Sequence, residues 1–422
     1  MPAPNRPEPP RHRLPVGLRP LRHSRFRWLW AVGVVSFFGT WIHNVAARWT
    51  VASQDGSPFL VTVVDALQAL PIVLLSVTAG KLADTRDRRK VLVAINLGLM
   101  VVSGTLGVLA AVGHLRIPVL FLLTALLGAF VALDNPVWQS TVPRQVPDAD
   151  VHGAVALVST GYNAARTLGP TIGAWLLVSA GAPTAFFVDA ASFAVMAALV
   201  WRLLPPSKPG TKVAEPVKPL RLPVMRKLYG TAFLFSLFAM PAMSLLPIAA
   251  RDSLHGGALA FGGLLSAFGL GAILAGPFVA GLAAKTGYNR FIALCSVTAA
   301  GGMALLAFAP HVVVALVAAA LCGAGWLGAI SITNSTVNTR STAGTRGRLL
   351  AVYFIFAFAG QFGGSLLGGL AAQVAGLTVA FLTFAALLLV LAAGITRTGD
   401  VPMSPAEQSP PEPSPAEQEA PR

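Results

Sequence analysis

The chain is predicted to be an all-α integral membrane protein, with twelve transmembrane helices in two six-helix halves, and three observations carry that prediction. Only 11% of its 422 residues are charged and 55% are apolar, where soluble domains carry about 25% charged residues. Mean hydropathy is +0.69, and the apolar residues gather in runs of about 20, the length that crosses a bilayer as a helix. Lys and Arg collect in alternate connections between those runs, the asymmetry that orients a membrane protein.

Taken in order, the chain opens with a basic tail, 1–27, that holds seven arginines. The apolar run after it begins too late and runs too long for a cleaved signal peptide, and is expected to stay as the first helix. The first half reads as helices at 28–50, 58–81, 91–113, 117–138, 153–180 and 183–204. Helix is the default because a backbone in lipid must satisfy its own polar groups, and the runs are too long for barrel strands. Residues 205–227, rich in Pro and Lys, read as a cytoplasmic linker. The second half reads as helices at 228–250, 258–284, 290–309, 311–337, 349–374 and 376–397. From 398 to 422 the chain is mostly Pro, Ser, Glu and Gln, too polar to bury a core, and reads as a disordered cytoplasmic tail. Basic residues then fall in the N-terminal tail, the central linker and the connections after helices 2, 4, 8 and 10. The opposite connections hold only Arg116, Arg251 and the borderline Arg48. Both termini are therefore expected in the cytoplasm.

Composition also excludes classes of function. The net charge of +15 does not point to nucleic acid, because the basic residues sit in connections rather than along one soluble face. Cys295 and Cys322 lie inside apolar runs without paired spacing, so they read as inert packing residues, not a disulfide or a metal centre. No Walker pattern occurs, which argues against ATP-driven transport by this chain alone. No Ser/His/Asp or Cys/His set falls in a loop long enough for catalysis. Neither an enzyme nor a cofactor is expected.

Between helices 2 and 3 lies Gly80-Lys81-Leu82-Ala83-Asp84-Thr85-Arg86-Asp87-Arg88-Arg89-Lys90. Gly80, Leu82, Ala83, Asp84, Arg88, Arg89 and Lys90 resemble the pattern Gly-x-Leu-Ala-Asp-Arg-x-Gly-Arg-Arg/Lys of the major facilitator superfamily, with Thr85 and Asp87 as departures. After helix 8, Leu282 to Gly287 is a weak echo that lacks the aspartate. Asp134-Asn135-Pro136, the stretch from Asn163 to Gly173, and Arg346-Gly347-Arg348 are similar to the branch holding enterobactin exporters and macrolide efflux proteins. The resemblance implies two duplicated halves giving alternating access to a site between them. It also implies a gating motif of Gly80, Asp84, Arg88, Arg89 and Asp134, with Arg88 paired to Asp134 and Asp84 at the end of helix 11. Gly169-Pro170-x-x-Gly173 resembles a partial antiporter signature, and so implies proton exchange. Thr124 stands where many proton-coupled relatives carry an arginine.

Ionisable residues inside the spans supply the remaining candidates. Arg166 lies about 13 residues into helix 5, roughly 20 Å along it, where a guanidinium has a functional role by default. The competing reading has it bonding helix carbonyls or polar neighbours. Asp65 and His43 each lie about 10 Å from the outer face on consecutive helices, so they are expected to meet and share a proton, with Gln68 one turn below. The competing reading leaves Asp65 hydrated in an outer vestibule. Asp189 reads as interfacial. Asp65, His43 and Arg166 are thus the proton-coupling candidates, and Trp41, Gln68, Asn163, Asn334, Asn338 and Gln361 the substrate-cavity candidates. For helix 10 the alternative is ordinary interhelical bonding. The function expected is export of a small amphiphilic molecule, whether drug, antibiotic or siderophore, across the bacterial cytoplasmic membrane. The carrier is expected to be a monomer in the lipid bilayer that exchanges substrate for protons. Proton-coupled uptake of a solute and a non-transporting sensor or scaffold are the alternatives.

Overall fold

The computed structural model describes residues 16–54, 56–206, 219–342 and 345–401, and the side chains of 16, 76–77, 79–85 and 219 also lie outside the described set. Among the described residues every regular element is helical. Helices α1 (Ser24–Gln54), α2 (Pro58–Thr85), α3 (Arg88–Ala111) and α4 (Ile117–Thr141) come first. A single helical run, Val151–Leu203, then turns at Gly181, where φ is +80°, a conformation that glycine adopts without a Cβ clash. It therefore crosses twice, as α5 (151–180) and α6 (182–203). Helix α7 (Pro223–Ser253) is regular to Ala239, passes Pro241 and Pro247 in short turns, and ends in a π turn over Ala249–Ser253. Helices α8 (Ala258–Thr286), α9 (Tyr288–Ala307), α10 (Val312–Thr339), α11 (Arg346–Ala375) and α12 (Leu377–Thr396) complete the bundle. By length and hydropathy these make eleven candidate spans, one of them 56 residues long and double, so the twelve expected crossings are present.

The same pairings recur in both halves. In the first, α1 packs on α5, α2 on α4 and α3 on α6; in the second, α7 packs on α11, α8 on α10 and α9 on α12. The halves meet through α2 on α11 and α5 on α8, two contacts that the same correspondence exchanges. This is the internal symmetry of a duplicated six-helix unit.

Contacts between the halves gather at the end opposite the first turn of α1 and the last turn of α12. There Gly262 of α8 lies against Ala174 and the Pro170 carbonyl of α5, and Gly369 of α11 lies against Phe59 and Thr62 of α2. Thr171 Oγ1 donates to Ser266 Oγ at 2.7 Å, and Ser57 Oγ to Gln373 Oε1 at 2.8 Å. Arg251, on the π turn, crosses the seam: Nη1 donates to the Ala52 carbonyl at 2.5 Å and Nη2 to the Gly56 carbonyl at 2.8 Å. Toward the terminal end the packing separates by half, and the cluster around Phe26, Leu29, Leu92 and Trp138 holds first-half residues alone. Of α7, helix α1 meets chiefly the Leu246–Ile248 turn at this far end, and the space between the halves on the terminal side of that junction is a cleft closed at the far end.

The tail packs through Val401 before leaving the described residues. Asn289 Nδ2 donates to the carbonyls of Thr398 and Gly399, and the Asn289 amide donates to Asp400 Oδ1 at 3.0 Å. A carboxylate thus covers the first amides of α9, at the loop whose echo of the charged motif lacks its own aspartate. Residues 207–218 of the linker and 402–422 of the tail lie outside the described residues.

Where α8 crosses α10, a Cβ on Gly271 would strike the Ala320 backbone. Gly271→Ala is therefore expected to destabilise the bundle by about 1–3 kcal/mol, read as a fall in Tm of the purified protein in detergent. Gly301→Ala, which meets open space, is the control; equal Tm values for the two variants would exclude so close a crossing.

Candidate functional site

Two polar faces of α1 meet two different helices. Asn44 and Arg48, one turn apart, face α2. Arg48 Nη2 sits 2.5 Å from Asp65 Oδ1, both side chains almost fully buried, and Gln68 Nε2 donates to Asn44 Oδ1 at 2.8 Å. The spacings i, i+4 on α1 and i, i+3 on α2 bring both pairs onto facing stripes. Asp65 Oδ2, Arg48 Nε and Arg48 Nη1 have no hydrogen-bond partner among the described residues, so the pair is held tightly at one corner only.

His43 points about 100° around α1 from Asn44, away from α2. Its Nδ1 lies 3.0 Å from Asp189 Oδ2 of α6, with both side chains fully buried. Ser103 of α3 donates to the same oxygen at 2.7 Å. The His43 ring meets Phe186 edge-on with centroids 5.0 Å apart. Gly39 makes room for the carboxylate, since a Cβ there would come within 3.0 Å of Asp189 Oδ1.

The expected meeting of His43 and Asp65 is not formed. Neighbouring positions on a helix diverge too far to reach one partner, and Asp65 takes Arg48 instead. Arg48 is thus a buried partner and not a loop charge, and Asp189, expected at the interface, is fully buried on His43.

Arg166 lies on a third surface. On α5, Gly161, Gly169 and Gly173 lie against α1, while Thr167, Pro170 and Ala174 lie against α8. Between these faces runs the stripe Val155, Ser159, Tyr162 and Arg166, spaced i, i+4, i+7 and i+11, which borders the cleft. Val155 and Tyr162 are 48% and 44% exposed. Arg166 is partly buried, with its guanidinium 5.6 Å from the centre of the Phe268 ring. It makes no hydrogen bond or ion pair among the described residues.

The other candidates separate. Trp41 packs on α5, where its Cβ lies against Gly169, and is largely buried. Asn163 donates to the Ser159 carbonyl of its own helix. Asn334 and Asn338 on α10 and Gln361 on α11 are partly exposed. At the terminal end Asp134 accepts from Asn96 Nδ2 at 3.2 Å. Asp87 caps α3 by accepting from the Arg89 amide, and the Arg89 guanidinium lies 4.0 Å over the Trp201 ring. The side chains at Gly80 and Asp84 lie outside the described residues, and the pairing of Arg88 with Asp134 stays an expectation.

Against known proteins, the family model described as "transmembrane secretion effector" matches residues 16–420. The chain belongs to this family of the major facilitator superfamily. It is 25% identical over 261 residues to the staphyloferrin A transporter of Staphylococcus aureus, covering 59% of this chain and 65% of that one, less than two thirds of that relative. It is 26% identical over 367 residues to the multidrug efflux pump Tap of Mycobacterium tuberculosis, covering 82% and 87%. Among solved structures, a POT family transporter in complex with 5-aminolevulinic acid aligns with a TM-score of 0.71 at 12% identity, over 88% of this chain and 95% of that one. A bacterial homologue of the lysosomal transporter Spinster, in an inward-facing conformation, aligns with a TM-score of 0.66 at 15% identity, over 89% and 96%. At such identities the structural likeness concerns the fold. A member of this transporter family is not an enzyme.

Within this facilitator, sequence reading missed Arg48, the burial of Asp189 and the crossing made by Arg251. A signal for the first was present: Asn44 and Arg48 at i, i+4, like Asp65 and Gln68 at i, i+3, each put two polar side chains on one helix face, as two helices sharing a polar seam require. Removing one partner of a buried pair leaves an uncompensated charge, at a cost of about 3–5 kcal/mol. Arg48→Met is therefore expected to lower Tm more than Arg48→Met combined with Asp65→Leu. A double variant at least as unstable as the single one would show that the two residues do not depend on each other.

Proposed function

We propose that the protein exports a small amphiphilic molecule across the bacterial cytoplasmic membrane in exchange for protons. The observation that carries this reading is the position of the buried Asp65–Arg48 pair, one helical turn from the Thr62 contact with Gly369 that joins the halves. By the distribution of basic residues the terminal end lies in the cytoplasm, so in this reading the closed end of the cleft faces outward and its walls receive substrate from the cytoplasmic side. The family and its relatives, a siderophore transporter and a multidrug efflux pump by name, support transport outward.

The cycle follows from electrostatics. While Asp65 is ionised, Arg48 holds α2 to α1 beside the seam. A proton arriving from outside neutralises the carboxylate and removes the Coulombic part of that attachment, which in a low-dielectric interior is large. Protonation therefore weighs on the balance between the inward-open and outward-open states, the condition for a ligand to shift a conformational equilibrium. His43 and Asp189 tie α1 to α6 and keep the rest of the half rigid. The gating motif, with Arg88 drawn to Asp134, closes the cytoplasmic side in the opposite state.

The direct test is proteoliposomes with a trapped pH dye, offered siderophores, macrolides and lipophilic cations under a proton gradient. Substrate-dependent proton flux is expected, and in Asp65→Asn it should fall at least about tenfold; full flux in the variant would remove Asp65 from the coupling.

The Arg251 clamp gives a second test. Two guanidinium hydrogen bonds to carbonyls contribute roughly 1.5–3 kcal/mol each, so Arg251→Ala is expected to favour the outward-open state. Spin labels on cysteines placed at Ser53 and Ser253, both native cysteines being buried, would report longer separations in the variant. An unchanged distance distribution would mean that the clamp does not hold the far end shut.

A further inference from the structure

The bundle disposes of its interior charges unequally. Asp65 is closed against Arg48, and Asp189 against His43 and Ser103, with all four ionisable side chains buried away from the cleft. Arg166 alone of the mid-membrane charges among the described residues has neither hydrogen bond nor ion pair, and it stands on the α5 stripe that borders the cleft. In the second half, the middle of the bundle carries no Asp, Glu, Lys, Arg or His; its polar groups there are neutral, Asn334 and Gln361 among them. The cleft wall therefore carries a positive charge that has no ion-pair partner among the described residues, set against an apolar bundle that weakens its screening.

The surroundings of the guanidinium fit one class of guest. Phe268 lies near it, with the guanidinium Cζ 5.6 Å from the ring centre, and the N–H donors of the guanidinium have no hydrogen-bond acceptor among the described residues. Those donors form the planar fork that matches a carboxylate with two parallel hydrogen bonds. One turn away, Tyr162 is 44% exposed and meets Phe37 edge-on, with centroids 5.3 Å apart, an aromatic surface for an apolar body. A cation in the same place would face repulsion, with no carboxylate beside Arg166 among the described residues to offset it.

We propose that Arg166 anchors a carboxylate of the transported molecule, so that the cleft selects anionic amphiphiles over cationic ones. The proposal rests on the transport reading above and names its substrate class. It gives the protein a division of tasks: Asp65 answers to protons, and Arg166 to the charge on the substrate.

The test uses the purified full chain in detergent and three dansyl probes of one size, dansylglycine, its methyl ester and dansylcadaverine, read by fluorescence titration. The wild type is expected to bind the carboxylate at least about tenfold tighter than the ester or the amine. Arg166→Gln should abolish that preference, while Arg166→Lys, which keeps the charge but not the fork, should retain part of it. An unaltered Tm in Arg166→Gln separates loss of the anchor from loss of the fold. No carboxylate preference in the wild type, including no binding at all, or the same preference in Arg166→Gln, would overturn the proposal. Flux of the same probes in proteoliposomes tests the other reading independently. Proton-coupled movement of the ester or the amine without regard to Arg166 would keep the transporter and discard the anchor. No flux of any probe would count against the transporter, with the binding titration still deciding the anchor.

Discussion

Hydrocarbon cannot solvate a charge, so each charge carried into the bundle needs its opposite inside the bundle or water from a cleft. That constraint organises the first half. Helix α1 carries a cation toward α2 and an imidazole toward α6, and each finds a carboxylate there: Arg48 on Asp65 and His43 on Asp189. With two of its faces committed in this way, α1 cannot rotate or slide without exposing a charge. Asn44, Gln68, Ser103 and Gly39 follow from the same requirement, as hydrogen-bond partners or as the space that lets a carboxylate sit close.

The second constraint is the absence of a hydrophobic driving force between helices already surrounded by lipid. Association then depends on close packing, and small residues mark where it is closest. The Gly169-Pro170-x-x-Gly173 stretch serves both of its neighbours. Its glycines admit Trp41 and Ile42 of α1, and its proline carbonyl meets Gly262 of α8. One turn of α5 thereby connects the helix that carries the charged pairs to the opposite half of the molecule.

Much of this was legible in the chain. Apolar runs, their lengths and the alternating basic connections gave the crossings, their order and the duplication, because each depends on local composition measured against a bilayer of set thickness. The buried ionisable residues were also visible one by one, since Asp65, His43 and Arg166 stand out in apolar surroundings. Their partners were not. Pairing depends on how far each helix is rotated about its axis, and a difference of one residue moves a side chain by 100°. Adjacency in sequence misled as well: α1 packs chiefly on α5 and α6, and only a narrow polar seam joins it to α2.

By itself the sequence determined the solvent of this protein, its twelve crossings and the residues too polar to lie in lipid without purpose, all of which follow from side-chain chemistry and chain length. Tertiary structure alone decided which acid meets which base, that Arg251 reaches across the seam, and that Arg166 is left without an ion pair among the described residues. Those outcomes rest on distances of a few ångströms between segments far apart in the chain, and no local property of either segment encodes them.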